Sequence, residues 1–96
     1  MQYLVLTRRR MDQFPPTAWT PELGELESQQ VRTLYAAGSI RNIWRRQDMP
    51  GAAILFEAAS EAEVRDHMAT LPLAQRGMLE IVVITALEPY SGFGPR

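Results

Sequence analysis

The chain has 96 residues, a net charge of -1, no cysteine and no lysine, so that all ten basic residues are arginine. These numbers fit one small domain and exclude a disulfide framework, a thiol nucleophile and a thiolate metal site. The balanced charge argues against a general nucleic-acid binder or an anionic-membrane binder, both of which are normally basic.

The first apolar run is Tyr3-Leu-Val-Leu6, a short β-type segment. Arg8-Arg-Arg10 follows this run where a secretory leader would have it precede one, and no apolar run approaches the ~20 residues of a membrane helix. A cytoplasmic protein with no membrane or nucleic-acid partner is therefore expected. Residues 8–17 are polar, contain Pro15-Pro16 and read as a solvated loop. Thr20-Pro21-Glu22 is a helix start: Thr caps, Pro fits the first helical position and Glu favours the positive dipole end. Leu23, Leu26, Val31 and Leu34 approximate one helical face, and Gly38 supplies the stop.

Ile40–Arg46 and Ala52–Glu57 read as strands joined by the turn-rich link Gln47–Gly51, a hairpin. On the first, strict alternation puts Ile40, Asn42 and Trp44 on one face and Arg41 and Arg45 on the other. Ser60-Glu-Ala-Glu63 is a capping box, and Val64, Met68 and Leu71 repeat at helical spacing until Pro72 ends the pattern. Residues 73–78 read as loop. Glu80–Glu88 is the last strand, and residues 89–96 form a coil tail carrying Tyr90 and Phe93.

The order is βαββαβ in a single domain spanning 1–96. Right-handed crossovers place two helices on one face of a four-stranded antiparallel sheet, an α+β, ferredoxin-like fold. In the last strand Ile81, Val83 and Leu87 point one way and Val82, Ile84 and Ala86 the other; both sets are apolar. The helices cover one set. The other calls for a second sheet ~10 Å away, hence a homodimer whose two sheets close into a barrel-like core.

Gly38 with Arg41-Asn-Ile-Trp-Arg45, the Phe56 strand, the acidic helix around Asp66, Leu71-Pro-Leu73 and Met78-Leu-Glu-Ile-Val82 together resemble the muconolactone isomerase family. The resemblance covers about residues 25–89 and is most specific at Trp44-Arg45 and Leu71-Pro-Leu73. It implies a dimeric α+β barrel, assembly from dimers into larger rings, and no cofactor or metal. It also implies a double-bond shift in a small unsaturated lactone within aromatic catabolism. That chemistry needs a base at a carbon-bound proton and a group that stabilises the dienolate. Counting back from Gly38, Glu27 falls where the family has a helix carboxylate and is the candidate base. The family commonly has histidine where this chain has Leu4, Asn42 and Arg65.

The remaining candidates are ligand-binding residues. Arg45 is the candidate clamp for a ligand carboxylate, although an edge-strand arginine also discourages sheet-edge aggregation. Trp44 is a flat wall for a ring or a packing residue. Asn42 is a hydrogen-bond donor to a lactone or ketone oxygen, and Tyr3 reaches toward the sheet end or packs as a strand residue. His67, the only histidine, borders the second helix's apolar stripe; one histidine builds no metal site, and none is expected. The leading function is a cofactor-free isomerase or related proton-transfer enzyme acting on a small lactone or oxo acid. The alternatives are a non-catalytic small-molecule-binding or assembly module, and a cofactor-independent oxygenase by fold analogy.

Overall fold

A computed structural model describes residues 1–94. Four strands, β1 (Gln2–Arg9), β2 (Ile40–Arg45), β3 (Ala52–Glu57) and β4 (Leu79–Leu87), form one sheet in the order β2-β3-β1-β4. All neighbouring pairs are antiparallel. Helices α1 (Pro21–Ala36) and α2 (Glu61–Ala69) pack on one face, as the βαββαβ order requires. No helix of the described residues is long and apolar enough to cross a membrane. Residues 95–96 of the tail lie outside the described residues; Tyr90 and Phe93 are exposed.

The helix starts behave as their side chains dictate. Thr20 Oγ1 accepts the Leu23 N–H at 3.1 Å, with Pro21 at the first helical position. Gly38 takes a positive φ of 83° just beyond α1, a conformation a Cβ disfavours. Ser60 Oγ accepts the Glu63 N–H at 3.2 Å, and Glu63 reaches back to the Ala59 N–H at 3.0 Å, one residue earlier than in the usual reciprocal box. Removing this cap in Ser60→Ala is expected to lower stability by about 1 kcal/mol, read as a shift of the urea midpoint with an unchanged slope.

The core lies between the helices and one sheet face. Tyr3 and Val5 of β1, Ile54 and Phe56 of β3, and Ile40 of β2 meet Leu34, Val64, Met68 and Leu71. The inward stripe of α1 differs from the expected one. Leu23, Val31 and Leu34 face the sheet, but Leu26 is 47 % exposed. The stripe runs at steps of four, four and three, and the residue it contains between Leu23 and Val31 is Glu27.

Two β-bulges also change the expected faces. Across β1 and β4, Leu6 pairs with Val83 but Thr7 pairs with Ile81, so Val82 is the extra residue. Ile81 and Ile84 therefore both pack against the core, while Val82, Val83 and Leu87 are exposed. The expectation that Ile81 and Val83 share a face is corrected by this one-residue shift. On β2, Ile40 pairs with Phe56 and Asn42 with Leu55, leaving Arg41 as the bulge. Ile40 consequently faces the core and is 1 % exposed, whereas Asn42 and Trp44 face away from the helices.

Two loops are more ordered than expected. The first strand extends through Arg9, paired with the start of β4, and a 3-10 turn forms at Pro16–Ala18. Residues 72–75 form the short helix α3 (Pro72–Gln75), because a proline that ends one helix is well suited to begin the next.

The hairpin loop closes on β1 through several contacts, among them the Arg9 N–H donating to the Pro50 carbonyl at 3.0 Å. The Ala52 N–H donates to the buried Thr7 Oγ1 at 3.0 Å, and Arg46 donates to the Thr7 carbonyl at 3.2 Å while pairing with Asp48 at 2.7 Å. Gly51 lies between them, where a Cβ would sit 2.2 Å from the Thr7 carbonyl oxygen. Gly51→Ala must push the loop off β1, and its expected cost is about 1–3 kcal/mol, measurable by denaturant unfolding.

Candidate functional site

A cavity of about 390 Å³ opens between α1 and the helix-facing side of the sheet. Its floor is apolar, made by Ile43, Ala52 and Ile54 from the sheet and Leu71 and Leu73 beside them; Val31 contributes from α1. The polar groups on its wall are few: Thr7, Ser28, one carboxylate at Glu27, and the arginines Arg9, Arg32 and Arg45. Such a site, mostly apolar with a small set of charged groups, suits a compact acidic molecule.

Glu27 owes its place to the α1 stripe, which turns it toward the sheet between two apolar residues. Its Oε1 accepts the Leu73 N–H at 3.0 Å, so α3 holds the carboxylate from the far side. Burial pushes the Glu27 carboxyl above the usual glutamate range. The Leu73 N–H and the positive field of Arg9 oppose that rise without cancelling it. A carboxylate desolvated in this way has the raised basicity that proton abstraction from carbon requires.

The arginines differ in how free they are. Arg32 is committed to Glu25 at 2.8 Å. Arg45 and Arg9 have no carboxylate partner within 4.0 Å among the described residues. Arg9 instead lies over the Trp19 ring, 5.7 Å from its centroid.

Of the residues singled out in the sequence, Glu27 and Arg45 come together at this cavity; Trp44 borders it from β2, but its side chain alternates to the outer sheet face, across from Ala53. Tyr3 and Asn42 do not line the cavity. Tyr3 is 7 % exposed within the main core, in step with Val5 and Thr7 on the helix-facing side. Asn42 is on the opposite sheet face, its Oδ1 accepting the Ile43 N–H at 2.8 Å. The bulge at Arg41 gives the reason, since it sends Asn42 outward. Leu4 is also on the outer face, across from Leu55, and Arg65 is an exposed α2 residue paired with Glu61. His67 stacks on Phe56 with the two rings within 2° of parallel and lies 3.5 Å from Glu63. No group of three or more His, Cys, Asp or Glu side chains suited to a metal ion occurs among the described residues.

Sequence reasoning missed Arg9, Ser28 and Thr7. Thr7 was accessible by period two from Tyr3 and Val5. Arg9 was hidden in a triple-arginine run that reads as a solvated loop until β1 is known to extend through it.

The outer sheet face carries Leu4, Leu6, Ala53, Leu55, Val83 and Leu87, with Trp44 half exposed at 50 %. Ion pairs stand at its margins: Arg8 with Glu80 at 2.8 Å, and the N-terminal amine with Glu57 at 3.0 Å.

No curated protein sequence matches the chain. The solved structures that share its fold include two of informative chemistry. One is muconolactone isomerase, with a TM-score of 0.73 and 21 % identity, covering all of this chain and 98 % of the other. The second is 5-chloro-2-hydroxyhydroquinone dehydrochlorinase from Burkholderia phenoliruptrix AC1100, in complex with 2,5-dihydroxybenzoquinone. Its TM-score is 0.71 at 17 % identity, over 92 % of this chain and 94 % of that one. At such identities the likeness establishes the fold. The sequence profile of muconolactone delta-isomerase matches residues 1–92, nearly the whole chain. With that span, the α+β architecture and the cavity beneath α1, the chain belongs to the muconolactone delta-isomerase family.

Proposed function

We propose that the protein is a cofactor-free, isomerase-like enzyme of aromatic-compound catabolism that moves a proton on a small unsaturated lactone or oxo acid. In this reading it is cytoplasmic and works as a homodimer or a larger homo-oligomer. The observation that carries the proposal is a single carboxylate, Glu27, desolvated at the wall of an apolar cavity that also presents unpaired arginine.

The roles follow from chemistry. Glu27 takes a proton from a carbon adjacent to the ligand's carbonyl, and the electron pair moves into the conjugated system as a dienolate. The same carboxyl returns the proton at the other end of that system, so the double bond shifts and no atoms are gained or lost. Arg45 anchors the ligand carboxylate, for which its planar fork is suited. The apolar floor excludes water from the dienolate and strengthens the charges that act on it. Leu4, Asn42 and Arg65 lie away from the cavity, so the lack of histidine at these positions leaves the base and the clamp intact.

The test is incubation with muconolactone in deuterium oxide, followed by proton NMR at the carbon next to the carbonyl. Enzyme-dependent exchange and isomerisation support the proposal. Tight binding without exchange would make the protein a binding module.

A further inference from the structure

Arg9 enters the cavity from β1 and Arg45 from β2, with β3 between them, which sets the two strands about 10 Å apart. Both guanidinium groups lack a carboxylate partner among the described residues, unlike Arg8, Arg32, Arg46 and Arg65, which are paired. Arg9 is also held in place. Its guanidinium lies over Trp19, and the two residues share a small side cavity of about 60 Å³ with Leu23 and Leu73. Trp19 is itself fixed edge-on against Phe14, with ring centroids 6.1 Å apart. An arginine stacked on an immobilised ring and left without a counter-ion is preorganised for a ligand anion, because little side-chain freedom is lost on binding.

We infer that the cavity takes a ligand with acidic oxygens at both ends, a dicarboxylate or an acid bearing a second ionised oxygen, gripped by Arg45 at one end and Arg9 at the other. This deepens the proposed function and rests on the same cavity. It adds Arg9 as a ligand-binding residue and Trp19 as the residue that positions it. A ligand with one acidic end, muconolactone included, still reaches the base but leaves one arginine uncompensated and binds more weakly, so the second acidic group is where selectivity arises. Glu27 lies within the electrostatic reach of Arg9. The end of the ligand that Arg9 holds is therefore the end nearest the base, and negative charge developing there is met by a fixed cation.

The experiment compares two flexible six-carbon acids, adipate and hexanoate, which differ by one carboxylate, by isothermal titration at low ionic strength. Adipate is expected to bind at least ten-fold more tightly. Arg9→Met is expected to abolish that preference and leave hexanoate affinity unchanged within two-fold. Arg9→Lys keeps the charge and is expected to keep most of the preference, which guards against a fold defect in the methionine variant. Equal binding of the two acids, no binding of either at tens of millimolar, or an undiminished preference in Arg9→Met overturns the inference. The readout is affinity alone. Loss of proton exchange with the adipate preference intact defeats the isomerase reading and not this one.

Discussion

Glu27→Gln is expected to lower the rate of proton exchange on muconolactone by about 10²–10⁴-fold, the range supplied by a positioned general base. The amide keeps the shape of the side chain and still accepts the Leu73 N–H through its oxygen, so α1 and α3 stay joined. Only basicity is removed. In the wild type, activity rises with pH as the carboxyl ionises, and the midpoint lies above the ordinary glutamate value of ~4.3 because burial disfavours the charge. Stability moves the opposite way. The folded protein holds the Glu27 proton more tightly than the unfolded chain does. This contribution is fully present below the unfolded pKa and is lost as pH rises through the folded one. Glu27→Gln lacks this loss. The variant is therefore expected to gain stability over the wild type across that window and to keep the gain above it, as measured by urea midpoints at several pH values. A variant that keeps wild-type exchange would remove Glu27 from the mechanism, and a stability difference independent of pH would remove the buried-charge account.

In the proposed homodimer, Leu55→Asp is expected to weaken self-association roughly 10²–10⁴-fold and so leave a monomer. A carboxylate in an apolar interface costs several kcal/mol, and each 1.4 kcal/mol is ten-fold. The reasoning starts from the outer sheet face. Leu55 on β3 and Leu4 on β1 are paired at its centre, with Leu6, Ala53 and Val83 in the next row and Asn42 and Thr85 at the two ends of their own row. An apolar centre with ion pairs at its edge is how protein interfaces are organised, and a face this apolar is unusual on a lone small domain. A second copy matches it most simply, because symmetry presents the same patch to itself. Analytical ultracentrifugation at micromolar concentration separates the outcomes. A wild-type protein that sediments as a monomer ends the argument, and a Leu55→Asp variant that stays dimeric moves the interface elsewhere.

Much of this was legible in the amino acids. Element order, both helix starts, the Gly38 stop and the antiparallel topology followed from local chemistry that tertiary contacts do not override. Family resemblance points to Glu27; the spacing of Leu23, Val31 and Leu34 also marks it as inward, but Leu26, an exposed leucine on the same helix, blurs that stripe. What alternation could not reveal was where the pleat breaks. Arg41 and Val82 carry no residue signature of a bulge, and each is defined only by the strand paired with it. The misplacement of Asn42 and Ile40, and of Val83 relative to Ile81, follows from those two residues. Arg9 was missed for a related reason: a polar run becomes a strand only because β4 is long enough to pair with it.

The extra residue at Val82 has a bearing on how this sheet tolerates change. Substituting Val82 alters a side chain that points to solvent, a mild perturbation. Deleting it joins Ile81 directly to Val83, which restores strict alternation with every observed face kept: Ile81 inward, Val83 outward and Ile84 inward. The position is thus permissive both to replacement and to removal, whereas the neighbours on either side are not dispensable. When this chain is matched with its relatives, a one-residue gap at Val82 keeps core and surface in step, whereas a gap elsewhere in β4 puts the residues between it and Val82 on the wrong face.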